Sequence, residues 1–179
     1  MKIPTREQCF KLLEKYGTLP NILDHSIMVN KIANYLAFRL KKKGIKVNLE
    51  LVDRGSLLHD IAKSKMVKEK VSAEKEQHHI DGENILIEEG FPEVGRLVRM
   101  HSSKEIHNLK TWEEKIINYA DTRVRHDQIV SVRERLDDLY VRYDVPDHLK
   151  VDEKYIFNLE KEIFDTINES PDILKEVIE

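Results

Sequence analysis

An imidazole and a carboxylate stand side by side in the stretch Leu57-Leu58-His59-Asp60-Ile61-Ala62-Lys63, with apolar pairs on both sides. Burying an unpaired carboxylate is costly, and a divalent cation is the natural partner of a carboxylate next to an imidazole. The stretch therefore predicts that a charged group, first of all a metal ion, is held here. The dipeptide alone is weak evidence, because it recurs at His126-Asp127 in a segment typical of an exposed helix start.

Three further residues could supply ligands to the same ion. His25, His101 and Asp121 each follow apolar residues of their own predicted helix, so each lies at or beside a face that packs inward. Carboxylates are almost never buried unpaired. We therefore expect Asp121, like Asp60, to lie where a cation or a basic partner is required.

Each of these residues could instead be an ordinary polar residue of the core. Asp121 could pair with Arg125, four residues further along its helix, and Asp60 could pair with Lys63. This explanation is reasonable for one residue at a time. It is weak for the whole set, because several separate helices would each need their own buried polar residue.

The set resembles the HD-domain (HDIG-type) metal-dependent phosphohydrolases over about residues 20–125. The residues that carry the resemblance are His25, His59-Asp60, His79 followed by Gly82, His101, and Asp121 preceded by Ala120. The resemblance implies that His25, His59, Asp60 and Asp121 bind one metal ion, that His79 and His101 hold a second, and that Asp60 bridges the two.

The resemblance also implies catalytic roles for Asp60, Lys63, His79 and His101. Lys63 resembles a family lysine that lies near substrate phosphate. Between the adjacent residues His78 and His79, His79 is preferred because it stands three residues before Gly82, and His78 is interpreted as a solvated neighbour.

Two arginines follow the last predicted ligand. Arg123 and Arg125 could bind substrate phosphate through their forked donors, or they could form ordinary surface ion pairs. Other charged residues of this region, including Arg133-Glu134-Arg135, are interpreted as a solvated helix face.

The expected cofactor is one or two divalent transition-metal ions. Mixed imidazole and carboxylate ligation suits Fe, Mn, Co, Ni or Zn better than Mg, which prefers oxygen ligands. The implied reaction is attack of a metal-activated water on the phosphorus of a nucleotide or another small phosphoester or phosphoanhydride. Two alternatives stay open: a catalytically silent HD domain that binds metal and a phosphorylated ligand as a regulatory or sensing module, and a helical interaction module without metal.

Composition limits the partners. The chain has 179 residues and a formal net charge of -3, which argues against a nucleic-acid polymer as its main partner. The expected partner is a small phosphorylated molecule, and the formation of a homodimer stays open. One cysteine excludes an internal disulfide and fits a reducing compartment. No apolar run is long enough for a bilayer and no signal core is seen, so a cytoplasmic protein without a membrane partner is expected.

Helical periodicity dominates the whole chain, and sustained alternation is absent. We therefore predict an all-α, compact helical bundle of one domain over residues 1–179, with a core over about residues 20–126 and C-terminal helices over 127–179. Capping boxes at Thr5 and Thr111 predict two helix starts. The segment Ser64–Gln77 is predicted to be a solvated loop or a frayed helix, and a helix is predicted from Asp127 to Tyr143.

Overall fold

Both predicted capping boxes start helices in the computed structural model, which describes residues 2–70, 72, 77–142, 144–145, 150 and 152–178. Oγ1 of Thr5 accepts a hydrogen bond from the amide of Gln8, and the Gln8 side chain accepts one from the Thr5 amide at 2.8 Å. Thr111 and Glu114 repeat this exchange at the second helix. These caps satisfy amide groups that the first helical turn leaves without partners.

Helices account for most of the described chain, and the all-α prediction is confirmed. The N-terminal half contains α1 (Arg6–Lys15), α2 (Pro20–Lys42), α3 (Leu49–Leu58), α4 (Lys63–Glu69), α5 (His78–Glu88) and α6 (Pro92–Met100). The C-terminal half contains a 3₁₀ helix (Ser103–Asn108), α7 (Trp112–Asp121), α8 (Val132–Arg142), α9 (Glu153–Ile167) and α10 (Ile173–Ile178). None of the described helices combines the length and the apolar character needed to cross a bilayer.

A small hairpin replaces the predicted start of the C-terminal helix. The strands β1 (Val124–Arg125) and β2 (Gln128–Ile129) pair antiparallel, and α8 begins only at Val132 rather than at Asp127. His126 turns the chain with a left-handed φ of 56°. Two-residue strands are too short to show alternation in a sequence, which is why the pattern did not predict them. Tyr143, the predicted helix end, lies outside the described residues.

The segment predicted as a loop or frayed helix contains α4. Its Ser64 is buried, and Oγ of Ser64 accepts a hydrogen bond from the amide of Leu19 at 2.9 Å, which ties α4 to the start of α2. Residues 71 and 73–76 of this segment lie outside the described part of the chain.

The buried apolar side chains form two clusters. The larger one is built on α2, α7 and α9, and α8 and α10 contribute to it. The smaller one joins α1, α3, α5 and α6. Helix α2 contributes ten buried residues, among them His25, Ser26 and Asn30, so its inward face is not purely apolar.

Helices α5 and α6 approach each other closely where glycines remove the side chain. A Cβ at Gly82 would lie 2.7 Å from Cγ1 of Val98, and one at Gly95 would lie 2.9 Å from the carbonyl oxygen of Glu83. Both distances are too short for real contacts, so the two helices can pack this closely only with glycine at these positions. The face of α5 that carries Gly82 therefore points at α6.

Candidate metal centre

Three side chains from separate helices meet in the interior. His25 lies near the start of α2, His59 directly follows α3, and Asp121 ends α7. Nε2 of His25 lies 2.8 Å from Oδ1 of Asp121, and Nε2 of His59 lies 3.8 Å from the same oxygen. The three potential ligand atoms lie within 4.8 Å of one another. One cation could therefore contact all three residues.

Backbone carbonyl groups orient the imidazole rings. Nδ1 of His25 lies 2.9 Å from the carbonyl oxygen of His126, and Nδ1 of His59 lies 2.7 Å from that of Ser56. Nδ1 of His101 contacts the carbonyl oxygen three residues earlier. Because a carbonyl oxygen only accepts, Nδ1 carries the proton in each ring, and the lone pair of the neutral ring is at Nε2. Metal-binding histidines are commonly held in this way.

A second group of potential ligands adjoins the first. Oδ1 of Asp60 lies 3.1 Å from Nε2 of His78 and 3.5 Å from Nε2 of His101. The two ring nitrogens are 3.1 Å apart. All three atoms lie within 4.8 Å of one another, which again suits one cation. His101 follows α6 and His78 begins α5, so these ligands come from the two helices that the glycines bring together.

The structure corrects the choice between the adjacent histidines. The sequence predicted His79 as the ligand and His78 as a solvated neighbour, but the group near Asp60 contains His78 and not His79. His78 lies four residues before Gly82, about one helical turn away, so it shares the face of α5 that points at α6. His79 is buried and is turned by about 100° around the helix axis from His78.

Asp60 lies between the two groups. Its Oδ1 faces His78 and His101, while its Oδ2 lies 3.4 Å from Nε2 of His59 and 3.9 Å from Nε2 of His25. Nζ of Lys63 donates to Oδ2 at 2.7 Å. Asp60 is thus in contact with both groups, where the resemblance had placed a bridging carboxylate, and Lys63 is in contact with Asp60.

Unsatisfied atoms at the centre indicate that a divalent ion fits it. Nε2 of His59 and Oδ1 of Asp60 are buried, and neither makes a hydrogen bond to any described residue. Most buried polar atoms have a partner, so such atoms call for a bound group. Converging imidazole nitrogens and carboxylate oxygens, some of which lack a hydrogen-bond partner, suit a transition-metal ion.

The two carboxylates are held in the ionised form that a metal requires. Burial would raise the pKa of Asp60, but the charges of Lys63 and His59 outweigh it and hold this pKa well below its usual value. Burial would likewise raise the pKa of Asp121, but the close contact of its Oδ1 with Nε2 of His25 and the charge of Arg135 outweigh it, and that pKa is also held well below its usual value.

The imidazoles differ among themselves. Burial lowers the pKa of His25, against the effect of Asp121. Burial also lowers the pKa of His101, to about 4. At His59 burial acts in the same direction, but the charge of Asp60 outweighs it and raises the pKa. His25 and His101 are therefore neutral at neutral pH and have their ring nitrogens available for a metal.

Arg123 does not lie where the sequence predicted. Its side chain is buried and points toward α9, away from a substrate-binding role. Nε of Arg123 donates to the carbonyl oxygen of Val130 at 2.6 Å, and Nη1 lies 3.3 Å from a carboxylate oxygen of Glu160. Arg123 therefore ties the hairpin to α9. Arg125 is exposed on β1, and its contact with phosphate stays a prediction.

Arg135 lies near the centre, and the sequence analysis did not single it out. It was interpreted as part of a solvated face, but its side chain is 5% exposed and its Nη2 lies 3.7 Å from Oδ1 of Asp121. A signal was present: Arg135 stands three residues after Val132 and directly before Leu136, both buried. Helical spacing therefore places it next to the apolar stripe of α8.

Asn118 is a second residue that the sequence did not single out. Its side-chain amide lies 3.0 Å from the carbonyl oxygens of Met100 and His101 and 3.2 Å from that of Ser102. These contacts attach the end of α6 to α7. Asn118 thereby fixes the position of His101 relative to Asp121.

Comparison with known proteins is consistent with this site. The sequence matches the family described as HD domain over residues 22–136, which includes both groups of potential ligands and Arg135. No solved structure gives a significant match to the chain.

The chain matches parts of several longer curated relatives. The chain is 31% identical over 119 residues to the uncharacterized protein MJ0778 of Methanocaldococcus jannaschii, covering 58% of this chain and 66% of the relative. It is 29% identical over 150 residues to proteins named tRNA (cytidine(56)-2'-O)-methyltransferase from Picrophilus torridus and Thermoplasma volcanium, covering 75% of this chain. The chain spans only 40% and 41% of the length of those two relatives.

Proposed function

Because the chain belongs to the HD-domain family, we propose that it is a metal-dependent phosphohydrolase that acts on a nucleotide or another small phosphoester or phosphoanhydride. One observation carries this proposal. Asp60 is buried between two groups of converging ligand atoms. Neither Oδ1 of Asp60 nor Nε2 of His59 makes a hydrogen bond to the described residues. Such a centre can bind one or two divalent ions, with Fe, Mn, Co, Ni and Zn as the candidates.

Each residue then has a role in the proposed reaction. His25, His59 and Asp121 would hold one ion, and His78 and His101 would hold a second together with Asp60, which lies between the two groups. Ions bound in this way supply an acidified water and offset the charge of the phosphate oxygens. Lys63, which donates to Asp60, is the nearest permanent cation to the carboxylate and is proposed to contact substrate phosphate.

A second candidate function is a binding module without turnover. The chain corresponds to about two fifths of two longer proteins that are named for a tRNA methyltransferase. Domains of this family thus occur beside other enzymatic activities, where metal and ligand binding alone could serve regulation. The complete ligand set of this chain supports the hydrolase instead.

The experiment is a metal analysis followed by a hydrolysis screen. We expect one or two transition-metal ions per chain, and release of phosphate or nucleotide from at least one of a panel of mono-, di- and polyphosphate nucleotides. His59→Ala and Asp121→Ala should abolish this release and lower the metal content, because each removes a potential ligand of the first group.

His107→Ala is the matched control, because the His107 side chain is exposed and is in contact with Asp152 instead of the centre. Its activity should equal that of the unmodified protein. A metal-loaded protein that binds nucleotides and hydrolyses none would select the binding module. Hydrolysis that persists in both His59→Ala and Asp121→Ala would contradict the proposed site.

A further inference from the structure

Two buried arginines lie on either side of the hairpin, and they differ in how well they are satisfied. Arg123 uses Nε, Nη1 and Nη2 in contacts with a carbonyl oxygen, a carboxylate and a second carbonyl oxygen. Arg135 is equally buried, but the one hydrogen bond of its guanidinium to a described residue is Nη1 to Oδ2 of Asp138, at 3.5 Å. Arg123 is therefore a structural residue, whereas Arg135 has donors to spare.

One spare donor of Arg135, Nη2, lies beside the candidate metal centre, and a second, Nε, is buried next to it in the same guanidinium. Nε is buried without a hydrogen-bond partner among the described residues, and Nη2 is 3.7 Å from Oδ1 of Asp121, which is too long for a hydrogen bond. A buried guanidinium in this state is costly unless another acceptor completes it. An acceptor that completes Nη2 would lie beside Asp121, a potential ligand of the first group.

The charges at the centre show which kind of acceptor is missing. The two carboxylates, the buried Asp60 and the partly buried Asp121, are already matched by two cationic side chains, Lys63 and Arg135. Each divalent ion therefore adds two positive charges that no side chain at the centre offsets. An anion bound at the ion would offset these positive charges and would also accept hydrogen bonds from the N–H groups of Arg135 that have no acceptor among the described residues.

We propose that Arg135 binds a phosphate oxygen of the ligand held at the His25–His59–Asp121 group and favours ligands with a terminal phosphate. This inference rests on the proposed function for the nature of the ligand. A terminal phosphate has three non-bridging oxygens, so it can contact an ion, Lys63 and the forked donors of Arg135 together. A phosphodiester has only two such oxygens and leaves one of these contacts unmade.

The test measures binding of methyl phosphate and dimethyl phosphate to the metal-loaded protein by titration calorimetry. We expect the unmodified protein to prefer methyl phosphate, and Arg135→Gln to weaken methyl phosphate binding by about 10- to 100-fold, the effect of losing charge-assisted hydrogen bonds. Dimethyl phosphate binding should weaken less. Arg135→Lys should recover only part of the loss, because an ammonium group cannot form the bidentate contact.

Arg133→Gln is the matched control, since it lies on the same helix and its side chain is 51% exposed. Its phosphate binding and metal content should equal those of the unmodified protein. Metal content measured in parallel separates a direct contact from an effect through Asp121. The inference is overturned if Arg135→Gln binds methyl phosphate as the unmodified protein does, or if its loss of binding follows a loss of metal.

Two further outcomes are decisive. If Arg135→Gln does not fold, the Arg135→Lys protein decides: full methyl phosphate affinity there overturns the inference, and a partial loss at unchanged metal content supports it. A protein that binds methyl phosphate through Arg135 but hydrolyses nothing would contradict the proposed reaction and leave this inference standing. An active hydrolase whose Arg135→Gln variant binds methyl phosphate normally would overturn this inference and leave the proposed reaction standing.

Discussion

Two buried aspartates lie seven residues apart, Asp53 within α3 and Asp60 just after it, and their surroundings differ sharply. Asp53 is surrounded by donors: Nδ2 of Asn34 donates at 2.7 Å and Nδ2 of Asn30 at 3.2 Å to its Oδ1, and Arg6 and Arg54 form ion pairs with its two oxygens. Every oxygen of Asp53 is therefore satisfied by the chain itself.

Asp60 has a cation on one oxygen only. Lys63 donates to Oδ2, while Oδ1 faces His78 and His101 without a hydrogen bond to any described residue. The comparison teaches how to separate a structural polar cluster from a binding site. Burial and charge are common to both clusters, and the difference lies in the donors and acceptors that the chain leaves unmet.

The largest expected effect on stability comes from the satisfied cluster. Asp53→Ala should lower the free energy of unfolding by about 3 kcal/mol, because it removes the carboxylate to which the side-chain amide of Asn34 donates and with which Arg6 and Arg54 pair. Urea denaturation of the metal-loaded protein measures this change. Metal content per folded chain should stay unchanged.

Asp60→Asn is the partner variant that sharpens the comparison. It should lower metal content, which Asp53→Ala should not. If Asp53→Ala also lost metal, or if Asp60→Asn kept all of it, the two aspartates would not divide into a structural and a ligand-binding residue as we infer.

Metal removal has the next largest expected effect. A ligand that binds only the folded state stabilises it by about 2.7 kcal/mol at 100 times its dissociation constant, so chelation should lower the melting temperature. Differential scanning calorimetry before and after chelation measures the shift, and adding back the metal should reverse it. The same shift in Asp53→Ala protein would show that the structural cluster does not depend on the ion. An unchanged melting temperature would instead favour a helical module without metal.

The sequence predicted those parts of the protein that local rules determine. Capping boxes at Thr5 and Thr111 predicted two helix starts, and the apolar neighbours of His25 and Asp121 predicted that both lie beside inward-facing helix faces, whereas their meeting at one site was implied by the family resemblance. These signals depend on neighbours within one or two turns. They hold because helix ends and buried faces are set by nearby residues.

The sequence failed where position depends on a distant partner. Arg123 and Arg135 both follow the last ligand, and only tertiary packing directs one toward α9 and the other toward Asp121. The hairpin between them was missed because its strands are two residues long and their pairing is fixed by burial of Val124 and Ile129.

The choice between His78 and His79 yields the smallest predicted effect and the most specific one. His78 belongs to the group of potential ligands around Asp60, so His78→Ala should lower the affinity for the ion of the second group, by at least the 10- to 100-fold typical of residues that merely orient a ligand. His79→Ala should leave this affinity unchanged, although its burial means that it can cost stability.

Metal titration of both variants, monitored by calorimetry, measures the affinities of the first and the second group separately, because the His25–His59–Asp121 group is intact in each variant. The contrast has a geometric basis: His78 and Gly82 share the face of α5 that packs on α6, and this face brings Nε2 of His78 to Asp60. A loss of the second ion in His79→Ala and not in His78→Ala would mean that α5 is rotated by one residue. In that case the three-residue spacing to Gly82, rather than the four-residue spacing, would define the ligand.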